Sequence, residues 1–137
     1  MTGGADLTRP RHIRHSEQKP EWGVLPGSLN PGTIRGGYPR VDATNAFARM
    51  MILPLGQGAP AHTNTAEHLI VHLQGSVTFE FPKSNPGELF RLEPHDLLFI
   101  PANEAFAYFN SGKAEAVWVS ILTTAGVWPP SGSPVAP

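Results

Sequence analysis

The chain of 137 residues contains no cysteine and no apolar run near the ~20 residues needed to cross a membrane as a helix. The missing cysteine excludes a disulfide scaffold, a thiolate-ligated zinc site and a thiol nucleophile. Charge is also scarce: Asp, Glu, Lys and Arg make up 15% of the residues and the net charge is −1. The basic residues that cluster, Arg9, Arg11, Arg14 and Lys19, stand beside Asp6 and Glu17. That footprint is too weak for phosphate binding and reads as a solvated or dimer-contacting arm, so neither nucleic acid nor membrane is expected as a partner. The opening Met-Thr-Gly-Gly-Ala-Asp has no apolar core of a signal peptide, and a cytoplasmic location is expected. Gly-x-Gly-x-x-Gly, a Walker loop and a Gly-x-Ser-x-Gly elbow are absent.

What the chain has in excess is glycine and proline, 14 and 15 residues. Both disfavour helix interiors, so short strands joined by turns are expected. Residues 1–44 read as a loop-rich arm, with short strands near Trp22–Leu25 and Thr33–Arg35. Residues 45–123 carry strand patterns at Ala46–Leu55, Glu67–Leu73, Val77–Phe81, Glu88–Leu92, Asp96–Ile100, Ala105–Phe109 and Ala114–Leu122. Val77, Phe79 and Phe81 alternate with Thr78 and Glu80, which places the three apolar residues on one face. Lys83–Gly87 and Asn110–Gly112 are turn clusters, and residues 124–137 form a Pro-rich tail. The sum is an all-β sandwich or barrel.

Two segments carry chemistry. The first runs Gly58-Ala-Pro-Ala-His62-Thr-Asn64-Thr-Ala-Glu67-His68 and on through His72 to Gly75; the second runs His95-Asp96 through Pro101 and Asn103 to Phe106, Tyr108 and Asn110. Together they resemble the two motifs of the cupin family, with Gly75, Asp96, Pro101 and Asn110 at framework positions. The resemblance implies a single jelly-roll (double-stranded β-helix) barrel over residues 45–123 and, in many members, a homodimer. The arm and an exposed edge strand at Ala46–Leu55 are the expected contact in such a dimer. His95 and Asn103 replace glycines of the motif and are expected at positive φ.

The family holds a divalent ion with two His and a Glu from the first motif and a His from the second. Here His62 matches the first ligand, Asn64 stands at the second, His68 at the Glu position with Glu67 one residue early, and Phe106 at the last. Two readings follow. In one, His62 and His68, helped by Asn64 or Glu67, form a reduced site for Fe, Mn, Ni, Cu or Zn. In the other no metal is held, the polar residues bond to one another and Phe106 fills the ligand's space. His62 and Asn64, two apart, are expected on one strand face; alternation turns Glu67 away from His68, and His72 lies about 13 Å from His68 along its strand.

Under either reading the barrel offers a pocket lined by Asn64, His72, Phe79, Phe106 and Tyr108, suited to a small aromatic or carbonyl-bearing molecule. Phe79 reads equally as plain core, and His72 as a satisfied core histidine. The expected function is small-molecule binding, with His62 and His68 as catalytic candidates for oxygenation, isomerisation or cyclisation. The alternative is a metal-free cupin that binds without catalysis, or that does acid–base chemistry with the two imidazoles alone.

Overall fold

The computed structural model describes residues 7–19, 21–23, 35–37 and 41–123. The Pro-rich tail and parts of the arm, including residues 24–34 and 38–40, lie outside the described residues. Among the described residues a 3-10 turn at His15–Glu17 is followed by the strands β1 (Glu21–Gly23), β2 (Arg35–Gly37), β3 (Val41–Asp42), β4 (Ala46–Leu53), β5 (Gly58–His62), β6 (Glu67–Gln74), β7 (Val77–Phe81), β8 (Asn85–Leu92), β9 (Leu97–Ile100), β10 (Phe106–Phe109) and β11 (Ala116–Thr123).

They form two antiparallel sheets. The larger runs β1-β2-β4-β11-β6-β9, with β3 also on β4; the smaller runs β5-β10-β7-β8. The inner faces of both supply the core, as in any two-sheet β structure. β11 shows the pattern best: Ala116, Trp118, Ser120 and Leu122 are buried and the residues between them are half-buried. From the smaller sheet, Val77, Phe79 and Phe81 point inward and are buried, as their alternation implies.

Two sequence expectations change. β4 is not an edge: it lies between β11 on one side and β2 and β3 on the other. The outermost partner at the far side of this sheet is β9, which pairs with β6 through His68↔Ile100 and Val71↔Leu97. The turn cluster at Lys83–Gly87 is also shorter than expected, because β8 begins at Asn85, paired with Phe81. A register shift between Glu80 and Phe81 absorbs the extra residues, and Gly87 sits at φ 80° within the strand.

The framework residues close the turns. Gly75 is at φ 69°, where a Cβ would meet the Glu115 carbonyl oxygen at 2.5 Å. Asn110 is buried and uses its whole amide: Nδ2 donates to Leu53 O (3.1 Å) and Ala114 O (2.8 Å), and Oδ1 accepts from Gly112 N–H (2.9 Å). Asp96 accepts the Glu93 N–H at 2.8 Å and so ties the turn that leads into β9. His95 and Asn103 adopt φ 79° and 64°, the left-handed conformation expected of them. The arm is tied to the barrel where the Arg11 guanidinium donates to the Asp42 carbonyl.

Candidate functional site

The site begins with a proline. β5 is an edge strand of the smaller sheet, the place where a residue without an N–H can stand in a strand. Ala59 pairs with Tyr108 and His62 with Phe106, so Pro60 and Ala61 together face Ala107 alone. That extra residue is a β-bulge. Strand side chains alternate with period two, so one added residue reverses which of the following side chains point inward. Without it Ala61 would stand opposite Phe106; with it, His62 does. The Pro60 carbonyl then takes a 2.8 Å hydrogen bond from His62 Nδ1. In the neutral ring this puts the proton on Nδ1 and the lone pair on Nε2.

Phe106 is buried and collects both imidazoles. Its ring centroid lies 4.3 Å from that of His62, at 52°, and 5.3 Å from that of His68, at 72°. His68 faces inward at the start of β6, beside Ile100 at the end of β9. All of these residues lie at one end of the barrel. Toward the opposite end the rings continue: Phe106 to Phe79 at 6.2 Å, Phe79 to Tyr108 and Tyr108 to Trp118 at 5.4 Å each. These spacings are those of offset and edge-to-face packing, and Phe79, Tyr108 and Trp118 are all buried. The interior is thus a run of packed aromatic rings with two histidines at one end.

The remaining expected site residues are placed as follows. Asn64 is not on a shared strand face with His62, because β5 ends at His62 and Asn64 lies in the turn that follows. Its Oδ1 accepts the Ala66 N–H at 3.1 Å, an Asx turn, and its carbonyl accepts the Asn103 N–H at 2.7 Å. It joins the two motif loops at the rim. Glu67 is exposed and takes a 3.1 Å hydrogen bond from the Thr123 hydroxyl, on the face away from His68. His72 is fully buried at the other end of β6, across from Trp118, and its Nε2 donates to Gly75 O at 2.7 Å. It belongs to the closing turn and is not brought to the two other histidines. Neither Pro60 nor Trp118 stands at a motif position; a proline three residues into a motif strand, two before a candidate ligand, is the available sequence signal for the first.

This donor set does not fit a resident ion. A catalytic centre takes about three protein ligands with an open position. Among the described residues no group of three His, Cys, Asp or Glu side chains is placed to hold one. The Asn64 amide oxygen is committed to Ala66, Glu67 turns outward, and the apolar Phe106 ring packs against both imidazoles. What the arrangement supplies is two imidazoles in contact with one aromatic ring, at one end of an apolar interior.

The cupin domain model matches residues 49–122. No curated protein matches the chain in sequence. Among solved structures, the polyketide cyclase RemF from Streptomyces resistomycificus is similar in fold, with a TM-score of 0.72 at 17% identity over 93% of this chain and 88% of its own. A predicted oxalate decarboxylase from Thermotoga maritima gives 0.68 at 17% identity over 83% and 99%. The DMSP lyase DddQ from Ruegeria pomeroyi gives 0.62 at 17% identity over 86% and 64%.

Proposed function

Since the chain belongs to the cupin family, we propose that it binds a small, planar, carbonyl-bearing molecule at the His62 end of the barrel and acts on it by metal-free acid–base chemistry. The observation that carries this reading is the contact of the Phe106 ring with both His62 and His68. An apolar ring in contact with two imidazoles suits a conjugated substrate, which packs on apolar surface and meets polar groups at its edge. The same ring takes the place of a metal ligand, which leaves proton transfer as the chemistry within reach of the two side chains.

The reaction class that uses this set is aldol-type ring closure. His62 Nε2 takes a proton from a carbon flanked by two carbonyls. The carbanion attacks a second carbonyl carbon of the same molecule, and His68 gives a proton to the alkoxide that results. One proton is taken and one returned, so no oxidant or reductant is needed. General acid–base assistance of this kind contributes about 10²–10⁴-fold. The fold similarity to a polyketide cyclase, though it extends to fold alone, is in keeping with such a substrate class.

The test has two readouts. Titration with emodin, a planar hydroxyanthraquinone, should saturate at one molecule per chain, and His62→Ala should weaken it at least tenfold. Ring closure of a poly-β-keto thioester mimic, followed chromatographically as a cyclic isomer of unchanged mass, should be lost in both His62→Ala and His68→Ala. Emodin binding that is absent, or equal in wild type and His62→Ala, sinks the assignment of the site. Binding without turnover leaves a binding protein and removes the catalytic half.

A further inference from the structure

A buried hydroxyl seldom carries a proton with no acceptor for it. Ser120 does. It stands in β11 between Trp118 and Leu122, on the inward face, and is 7% exposed. Its Oγ accepts the indole N–H of Trp118 at 3.0 Å. An indole nitrogen only donates, so this bond uses a lone pair of the hydroxyl and leaves its proton to point elsewhere. The neighbouring side chains do not take that proton. Ile70, opposite on β6, is apolar, and Arg49, opposite on β4, is a donor only. The His72 ring, diagonal to Ser120 on β6, spends Nε2 on Gly75 O and keeps Nδ1 unbonded. Among the described residues no acceptor meets the Ser120 proton.

The indole that fixes this hydroxyl is itself held. Its ring meets Phe79 at 6.2 Å and Tyr108 at 5.4 Å, edge to face in both cases. The Trp118 N–H therefore stays on Ser120, and the hydroxyl turns its proton to the interior. Leu122, the next inward residue of β11, pairs with His68. Ser120 is thus the diagonal neighbour of His68, about 7–8 Å away on the same wall and one step deeper. We infer, resting on the substrate site read at the His62 end, that the Ser120 hydroxyl binds a carbonyl oxygen of the substrate, remote from the carbon that His62 deprotonates. The substrate class narrows to molecules the length of two or three fused rings, with a carbonyl beyond the two that react. A neutral carbonyl suits a hydroxyl that already holds a donor on its oxygen. A ligand with a methylene at that place would leave the proton buried and unmatched, and is disfavoured for that reason.

Emodin and emodin anthrone make a matched pair of probes. The anthrone has a methylene where emodin has the carbonyl that no neighbouring hydroxyl engages. Isothermal titration of both under nitrogen is expected to show the wild type binding emodin about tenfold more tightly than the anthrone. Ser120→Ala should bring the ratio of the two affinities close to unity with an unchanged circular dichroism spectrum. Ser120→Thr keeps the hydroxyl and should keep the ratio. A ratio that is the same in wild type and Ser120→Ala overturns the inference, and so does its loss in a folded Ser120→Thr. The two readings fail separately. Emodin binding that His62→Ala weakens, without any dependence of the ratio on Ser120, leaves the site standing and removes the role of Ser120. Absence of emodin binding by the wild type removes both.

Discussion

His62 and Phe106 stand directly opposite each other on β5 and β10, with ring centroids 4.3 Å apart. The pairing exists because Pro60 and Ala61 share one partner across the ladder, which turns His62 into the barrel. One apolar ring meets two histidines in space, a grouping the linear chain does not display.

This spacing predicts what a third imidazole would do. In Phe106→His the new ring would lie about as far from His62 and His68 as the phenyl ring does, near enough for three nitrogens to reach one ion at ~2.1 Å. Isothermal titration of the chelator-treated variant with Zn²⁺ is expected to show one ion per chain, and the wild type treated alike should take up none with comparable affinity. Without metal the variant should be less stable by about 2 kcal/mol or more, since a buried phenyl ring is lost and a polar ring replaces it. Equal Zn²⁺ binding by the wild type would show that Phe106 does not block the site.

A second prediction concerns pH. The Glu93 carboxyl is held below its ordinary value of 4.5, first by the hydrogen bond from the Ser76 hydroxyl and then by that from Arg91, with the Arg91 charge adding to both. The distances are 2.5 Å and 2.7 Å. A carboxyl whose folded value is depressed contributes stability that is fully present above its unfolded value and is lost as pH falls through the folded one. Thermal unfolding of wild type and Glu93→Gln should therefore differ at pH 6 and converge as pH drops from about 5 toward 3. Ser76→Ala should narrow the gap, because it removes the largest cause. A difference that stays constant with pH would assign the effect to packing.

Asn110 offers a test of the framework. Replacing it by Ala leaves the Leu53 and Ala114 carbonyls and the Gly112 N–H without the partner they have in the folded chain. Each buried group left unmatched costs about 1–3 kcal/mol, less where water can enter. Asn110→Ala should lower stability by at least about 2 kcal/mol in urea unfolding, and Asn110→Asp should do less harm to the Gly112 bond than to the other two. A loss near zero would mean that the turn after β10 rearranges at no cost.

The sequence made the parts that follow local rules readable. Period-two alternation put Val77, Phe79 and Phe81 inward and Glu67 outward, and turn chemistry put His95 and Asn103 at positive φ. Gly75 and Asn110 declared themselves as turn-closers by type and position. What stayed hidden depends on pairing. β5 holds Gly58 and Pro60, so it has no strand signature, and its bulge follows from the register with β10. Whether Ala46–Leu53 is an edge is a property of sheet order, which apolar content does not encode. Thr78, on the outward side of β7 by alternation, is buried all the same. The site was legible as a set of residues, while its geometry required the neighbouring strand.

The last prediction returns to a single atom. At φ 69° Gly75 occupies a conformation that L side chains avoid at a cost of about 1–2 kcal/mol. A Cβ there would also press within 2.5 Å of the Glu115 carbonyl oxygen and 3.2 Å of Ala116 Cα, both backbone atoms that cannot swing aside. The same turn supplies the carbonyl that takes the His72 Nε2 proton at 2.7 Å. Strain at Gly75 is therefore passed to a fully buried imidazole. Gly75→Ala should lose clearly more stability than the conformational term alone, and Gly87→Ala provides the comparison: its φ is 80° and nothing lies within 4 Å of its added Cβ. The difference between the two variants in chemical unfolding isolates the backbone clash. If both lose the same amount, the approach of Glu115 contributes nothing and the turn gives way freely.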